Sequence, residues 1–170
     1  MNEVYLSLGS NLGKRQENLA AASRELQNLL GTPLKQSSVY ETAAWGNTDQ
    51  SDFLNQVLVF QLEKGRENWL LERINELESM LGRVRREKWD ARIIDIDILL
   101  AGSQVIHDST LTIPHPCLHL RRFVLVPLNE IAPNLLHPEF DKTISELLEH
   151  CPDRLEVKRI SVDLRNKRHS

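Results

Sequence analysis

The sequence predicts a mixed α+β protein built on an antiparallel sheet. Apolar residues alternate with polar ones in several segments, as on half-buried strands, and recur three and four residues apart in others, as on amphipathic helices. Glycines and prolines separate these segments. With 170 residues, 41% of them hydrophobic and 26% charged, the chain is long enough for one buried core and too apolar to be disordered.

The first half of the chain predicts the order strand, helix, strand, strand. Alternation at 4–8 predicts a first strand that ends in a turn at 9–13, and leucines at helical spacing predict a helix at 19–30. A second strand is expected to end at 39–40. The clearest strand is 53–62, where Leu54, Leu58, Phe60 and Leu62 share one face.

The second half completes an alternating pattern. Its predicted elements are, in order, a helix at 69–81, a strand at 93–101, a hairpin strand at 104–106, a helix at 143–149 and an edge strand at 155–162. Prolines punctuate 113–138, so no long helix or strand is expected there. The order matches a ferredoxin-like βαββαβ core, an antiparallel sheet with helices packed on one face and loops forming a cleft. We expect one domain over 1–170, with 153–170 as a C-terminal extension.

Composition excludes several classes of protein. The formal net charge is -3, and no apolar run approaches the roughly 20 residues that a membrane span needs. The N-terminus has neither the basic start nor the apolar stretch of a signal peptide. Two cysteines, Cys117 and Cys151, form no CxxC motif, which argues against a disulfide scaffold or a four-cysteine zinc site. We therefore expect a cytoplasmic protein without membrane contact.

Two acidic residues in the strand at 93–101 form the sharpest chemical motif. Asp95 and Asp97 are two positions apart, so their side chains emerge on one face with α-carbons roughly 6.5 to 7 Å apart. The opposite face is apolar and carries Ile94, Ile96, Ile98 and Leu100. Paired carboxylates repel unless a cation lies between them, and Mg²⁺ prefers such oxygen ligands. The alternative is an edge strand whose exposed face happens to be acidic.

The loop just before this strand is strongly basic. It carries Arg83, Arg85, Arg86, Lys88 and Arg92 within ten residues. Guanidinium groups bind phosphate oxygens, and carboxylates hold the metal that neutralises the remaining charge. An acidic chain with one concentrated basic segment is more typical of a protein that binds a small polyanion than of one that binds nucleic acid.

Two other motifs fail on spacing. The stretch at 9–13 resembles a phosphate-binding loop, but only three residues separate its glycines, and Arg15 stands where Ser or Thr would be required. His115, Cys117 and His119 lack a second ligand pair at zinc-finger spacing. We interpret the first stretch as a strand-to-helix turn and the second as a non-metal segment.

Phe53 and Asn55 share one strand face beside a polar loop at 41–52 that contains Trp45. An aromatic ring next to an amide suits a flat heterocycle with donors and acceptors.

Together these residues resemble the 6-hydroxymethyl-7,8-dihydropterin pyrophosphokinase family. The segments that carry the resemblance are KWDARIIDIDIL at 88–99, VYLSLGSN at 4–11, YET at 40–42, WG at 45–46, DFLN at 52–55, LGRVR at 81–85, IPHP at 113–116 and RRFVL at 121–125. They occur in the family's order across about residues 2–150.

The resemblance implies transfer of diphosphate from ATP to the pterin hydroxymethyl oxygen, with release of AMP. It implies that Asp95 and Asp97 bind two Mg²⁺ ions and that Arg83 and Arg92 stabilise the transferring group. The implied pterin contacts are Thr42, Ala43, Trp45, Gly46, Phe53, Asn55 and Phe123. The implied nucleotide contacts are Glu78, Arg85, Lys88, Trp89, Arg92, Ile98, Thr112, His115 and Arg121. A monomer that binds only these small molecules is expected.

Four positions depart from the family's usual pattern. Ala43 and Ala44 replace a frequent Pro-Pro, Phe53 replaces a frequent Tyr, and Asp90 adds a negative charge to the arginine loop. Two alternatives stay open: an RNA-binding ferredoxin-like module, disfavoured by the absence of RNP aromatic motifs, and an anion-binding domain that has lost turnover.

Overall fold

A computed structural model describes residues 1–43, 51–82 and 93–161. Within these ranges the strands are β1 (Asn2–Ser10), β2 (Lys35–Gln36), β3 (Val39–Thr42), β4 (Phe53–Leu62), β5 (Asp95–Ala101), β6 (Ile106–His107), β7 (Thr112–Ile113), β8 (Leu136–His137), β9 (Lys142–Thr143) and β10 (Val157–Ile160). The helices are α1 (Arg15–Leu30), α2 (Glu67–Met80), α3 (Arg122–Ile131) and α4 (Ile144–Glu149).

The main sheet is antiparallel and has the strand order β10-β3-β4-β1-β5, with β2 paired to β4. The elements β1, α1, β3, β4, α2 and β5 form the predicted ferredoxin-like βαββαβ core, which is confirmed. The predicted edge strand near the C-terminus is β10, and it covers the outer edge of β3.

Helices lie on both faces of the sheet. On the first face, α1 and α2 bury Leu26 and Ile74 against strand residues such as Leu6, Leu58 and Phe60. This is the one-face packing that the core pattern predicts. Outside that core, α3 and α4 form a second apolar cluster on the opposite face, which differs from the expectation of helices on one face only.

The two-sided packing explains the continuous apolar run in β4. Leu58 and Phe60 face α1 and α2, whereas Val57 and Val59 face α3. A strand that is covered on both faces needs apolar side chains at successive positions.

Helix α3 contradicts the expectation that prolines exclude a long element from 113–138. Pro127 lies inside the helix, where a proline typically destabilises by about 3 kcal/mol. Val124, Leu125 and Leu128 are buried, and burial of each such side chain contributes about 2 kcal/mol. Packing therefore outweighs the local penalty.

The start of α3 depends on a residue from far along the chain. The backbone N–H of Arg122 donates to Asp153 Oδ2 over 3.0 Å, and the N–H of Leu155 donates to Oδ1 of the same carboxylate over 3.0 Å. Asp153 thus satisfies an N–H group that a helix start leaves without an intrahelical partner.

Two local predictions around β5 are wrong. The register of β1 against β5 shifts between Tyr5 and Leu6, so Leu99 is an extra residue and Leu100 packs on the α3 face instead of beside Ile98. The strand after β5 is Ile106–His107, and it pairs with β7. It is therefore not the second arm of a hairpin with β5.

We predict that Leu58→Ala lowers the free energy of unfolding by about 2–5 kcal/mol, because a fully buried side chain leaves a cavity between β4 and the helices. Urea denaturation measures the change. Leu136→Ala, at a position that is 52% exposed, is the matched control and should cost less than about 1 kcal/mol. Equal losses for the two variants would contradict this assignment of the core.

Candidate active site

The strand register aligns the predicted site residues in one row across the sheet. Asn55 of β4 and Asp95 of β5 each pair with Gly9 of β1, one from either side. Two strand spacings separate them, about 10 Å. Asp97 lies two residues farther along β5, opposite Ser7. The amide and the two carboxylates therefore share one sheet face.

Gly9 is the residue that sequence reasoning missed. It lies inside β1, not in the predicted turn, and a Cβ there would meet Asn55 Oδ1 at 3.0 Å and Phe53 Cδ1 at 3.8 Å. A glycine inside a strand often marks the close approach of a ligand, and this signal was present in the sequence. The absent Cβ lets the Asn55 side chain approach β1 closely, on the side of Gly9 away from Asp95.

Helix α3 covers only part of this face. It packs against Tyr5, Val57 and Val59, which lie toward the middle of the sheet. The row through Gly9 lies nearer the sheet end at which β1 finishes and at which β4 and β5 begin. The site is thus bounded by the sheet below and by α3 on one side.

Two buried polar groups on the same sheet face as Gly9 point to a ligand. Asn55 is 3% exposed and Thr42 is 2% exposed, and Thr42 pairs with Phe53 in the register of β3 and β4. Within the described part of the chain, Asn55 Nδ2 and Thr42 Oγ1 have no hydrogen-bond partner. A buried polar group without a partner costs about 1–3 kcal/mol, so a bound heterocycle with matching acceptors would recover that energy.

Asp95 and Asp97 lie on one face of β5, as the two-residue period of a strand predicts. Asp95 and Asp97 are half-buried, whereas Ile94, Ile96 and Ile98 are buried on the opposite face. Among the described residues no group of three His, Cys, Asp or Glu side chains could hold a metal. Two carboxylates suit Mg²⁺, which commonly completes its octahedron with water and substrate phosphates.

His115 lies beside this pair and is held in its neutral form. Its pKa is lowered to about 4, chiefly by burial and also by the Arg121 guanidinium, while Asp95 acts in the opposite direction. The backbone N–H of Cys117 donates to His115 Nδ1 over 3.2 Å, so the ring proton belongs on Nε2. The N–H of His115 donates to the Leu99 carbonyl over 2.9 Å and ties this segment to β5. His115 thus offers a neutral N–H donor near the aspartates.

The two predicted aromatic residues belong to the same face. Phe53 begins β4 on the face that α3 covers farther along, and Phe123 lies in the first turn of α3. The Arg121 guanidinium lies 5.7 Å from the centre of the Phe123 ring. A predicted nucleotide contact and a predicted pterin contact are therefore neighbours.

Four other predicted residues do not place a side chain in the row through Gly9. The side chain of Ile98 lies in the core against the α1 and α2 face, so only its backbone could contact a nucleotide. Glu78 is buried on α2 and accepts from the N–H of Ile96 over 3.4 Å. Thr112 lies in β7, and Ala43 is exposed after β3. Nucleotide contacts by Glu78 and Thr112 and a pterin contact by Ala43 stay predictions.

Several predicted site residues lie outside the described ranges. They are Trp45, Gly46, Arg83, Arg85, Lys88, Trp89 and Arg92.

Comparison with known proteins agrees with the sequence resemblance. The family model for 7,8-dihydro-6-hydroxymethylpterin-pyrophosphokinase (HPPK) matches residues 5–133. The 2-amino-4-hydroxy-6-hydroxymethyldihydropteridine pyrophosphokinase of Aquifex aeolicus is 43% identical over 86% of this chain and 90% of its own. The protein of that name from Haemophilus influenzae is 39% identical over 93% of this chain and 98% of its own.

Solved structures show the same fold. A crystal structure of Plasmodium falciparum HPPK-DHPS has a TM-score of 0.71 and 17% identity, and the match covers 87% of this chain and 45% of that one. This chain therefore corresponds to less than half of that larger protein. No helix in the described ranges is long and apolar enough to cross a membrane.

We predict that His115 makes stability fall in mild acid. The unfolded chain gains a proton near pH 6.5, but folded His115 gains one only near pH 4. Stability from this group is therefore present above pH 6.5 and is lost as pH falls toward 4, by on the order of 3 kcal/mol. Urea denaturation across this pH range should show a smaller loss for His115→Gln than for the wild type.

His150→Gln, at an exposed position after α4, is the matched control and should keep the wild-type pH dependence. An identical acid loss in the wild type and His115→Gln would contradict the neutral, buried state of His115.

Proposed function

This chain belongs to the 7,8-dihydro-6-hydroxymethylpterin-pyrophosphokinase family and transfers diphosphate from ATP to hydroxymethyldihydropterin in folate biosynthesis; from this premise, we propose that the row through Gly9 is its active site. The register that carries Asn55 and Asp95 to opposite sides of Gly9 is the observation that supports this proposal. The pterin would lie over the glycine, with its hydroxymethyl group toward the aspartates.

On the pterin side, the proposed contacts combine stacking with hydrogen bonds. Phe53 and Phe123 would stack on the two faces of the ring, and Asn55 Nδ2 would donate to its edge. Thr42 Oγ1, which is also buried without a partner in the described ranges, would hydrogen-bond the ring as well. Ala43, Trp45 and Gly46 would complete the pocket, chiefly through backbone groups.

On the phosphate side, Asp95 and Asp97 would hold two Mg²⁺ ions. Bound ions would neutralise phosphate charge and lower the pKa of the acceptor hydroxyl. The chain's own contribution is to place two carboxylates on one face of a rigid strand, where their mutual repulsion favours cation binding.

The cationic residues would bind the rest of ATP. Arg121 and the neutral His115 would donate to phosphate or ribose oxygens, and Arg83 and Arg92 would stabilise charge on the transferring group. Glu78, Arg85, Lys88, Trp89 and Thr112, with the backbone of Ile98, are the remaining proposed nucleotide contacts. No covalent enzyme intermediate is needed in this scheme.

We further propose that the protein works as a cytoplasmic monomer with ATP and the pterin as its small-molecule partners. Residues 1–170 would form one domain, since β10 and Asp153 join the C-terminal segment to the main sheet and to α3.

The direct test is AMP release from ATP with 6-hydroxymethyl-7,8-dihydropterin and Mg²⁺. A 6-methyl pterin is the control substrate, because it lacks the attacking hydroxyl and should give no AMP above background. Binding of both ligands without AMP release would favour a domain that has lost turnover. Oligonucleotide binding that weakens steeply with salt, without pterin binding, would favour the RNA-binding alternative.

We predict that Asp97→Ala lowers kcat by on the order of 10³-fold, equivalent to about 4 kcal/mol of transition-state stabilisation. Steady-state kinetics with Mg²⁺ titration measures the effect. Asp141→Asn removes the same charge at an exposed turn with a φ of 52°, which Asn adopts readily, and should leave kcat unchanged. Near-normal turnover of Asp97→Ala at saturating Mg²⁺ would refute the metal role.

We predict that Asn55→Leu weakens pterin binding at least about tenfold, while the free energy of unfolding changes by less than about 1 kcal/mol. Its Nδ2 has no partner among the described residues, so the free protein loses little when that group is removed. Calorimetric titration and urea denaturation give the two values. Gln61→Leu, an exposed amide on the same strand, should alter neither. A large stability loss with unchanged pterin affinity would show that Asn55 is structural.

A further inference from the structure

Arg15 connects three elements on the α1 face of the sheet, behind the proposed pterin contacts. It is the first residue of α1, and its Nη1 group lies 2.8 Å from Glu41 Oε2 in β3. The same nitrogen donates to the carbonyl of Asp52 over 2.7 Å, one residue before β4 begins. The side chains of Arg15 and Glu41 are 30% and 31% exposed, so the pair is partly shielded from water.

Helix stability does not account for a cation at this position. The N-terminus of a helix carries partial positive charge, and a cation there is disfavoured by a fraction of a kcal/mol. Glu17, in the same first turn of α1, pairs with Lys14 over 3.9 Å and not with Arg15. The side chain of Arg15 instead reaches from α1 to the facing ends of β3 and β4.

These two strand ends carry the pterin-side residues. Thr42 follows Glu41, Phe53 follows Asp52, and the two pair with each other in the sheet. Asn11 Nδ2 adds a second tie from the β1 side, donating to the carbonyl of Ser51 over 3.4 Å. One guanidinium therefore holds the residue before Thr42 and the residue before Phe53 at a fixed separation.

We propose that Arg15 is a positioning residue for the pterin: by bridging Glu41 and Asp52 it sets the spacing of Thr42 and Phe53. The inference rests on the proposed pterin site and goes beyond it, because Arg15 is not among the residues proposed to contact either substrate. A gap of about 0.5–1 Å forfeits roughly a quarter to a half of the attraction at a packed contact, so a small displacement of Phe53 would weaken ring stacking. Loss of the bridge should thus weaken pterin binding while the nucleotide side keeps its affinity.

The test compares the wild type, Arg15→Met and Arg15→Lys by calorimetric titration with 6-hydroxymethylpterin and, separately, with a non-hydrolysable ATP analogue and Mg²⁺. Arg15→Met should raise the pterin Kd about tenfold with an unchanged Kd for the ATP analogue and a kcat at saturation within about twofold. Arg15→Lys keeps the cation and should recover most of the affinity.

Lys14→Met is the matched control, since it removes the same charge from the neighbouring position, where the side chain is 80% exposed. Its Kd values should equal those of the wild type. If Arg15→Met does not fold, Glu41→Gln replaces it in the test. This variant weakens the contact between Arg15 and Glu41, so it should raise the Kd for the pterin and leave the Kd for the ATP analogue unchanged.

Unchanged pterin affinity in Arg15→Met, or an equal rise in Kd for both ligands, would overturn the positioning role and leave the active site standing. Either of these two results in Glu41→Gln would also overturn the positioning role, if that variant replaces Arg15→Met. A wild-type protein that binds no pterin would overturn the proposed site and this inference together.

Discussion

The pairing of β1 with β4 on one side and with β5 on the other is the constraint on which the site depends. This register carries Asn55 and Asp95 to the same level of the sheet, with Gly9 between them. A slip of one residue would turn Asp95 and Asp97 into the core and bring Ile96 to the surface. The large apolar cluster under the sheet opposes that slip, since each strand already buries its apolar alternate positions there. Core packing thereby determines where the polar groups of the site lie.

The opposite face divides into an apolar part under α3 and α4 and a polar part around Gly9. Helix α3 and α4 cover Val57 and Val59 with an apolar cluster, whereas the sheet end around Gly9 displays an amide and two carboxylates. Groups that would be unfavourable in an apolar core are concentrated in this polar part, where Asn55 and Thr42 are buried and the two aspartates are half-buried. Asn55 Nδ2 and Thr42 Oγ1 have no partner within the described ranges, and His115 is kept neutral by burial beside Arg121. Such groups acquire partners when a polar ligand binds.

The C-terminal segment supports this polar part from two sides. Asp153 holds the first turn of α3, which carries Phe123, and β10 pairs Val157 with Thr42 at the outer edge of β3. The family model ends at residue 133, before either contact. The segment after it is thus part of the sheet and of the helix start, although it carries no motif of its own.

Local periodicity was sufficient for much of the fold and of the site. The strand at 53–62, the common face of Asp95 and Asp97, and the helix that stops at Gly31 follow from side-chain direction and backbone sterics over a few residues. Helix α3 could not be predicted in this way, because its Pro127 is a local penalty that distant packing and the Asp153 carboxylate outweigh. The bulge that turns Leu100 to the α3 face likewise exists only in the pairing of β5 with β1.

By itself, the sequence determined the identities of the chemical groups, their spacing along each strand and the family that they resemble. Only the tertiary structure decided that Gly9 separates Asn55 from Asp95, that His115 stays neutral, and that Arg15 bridges the ends of β3 and β4. The physical reason is the separation along the chain over which each effect acts. Side-chain alternation acts between neighbours in the chain, whereas register, burial and charge pairing act between residues that meet only when the sheet has formed.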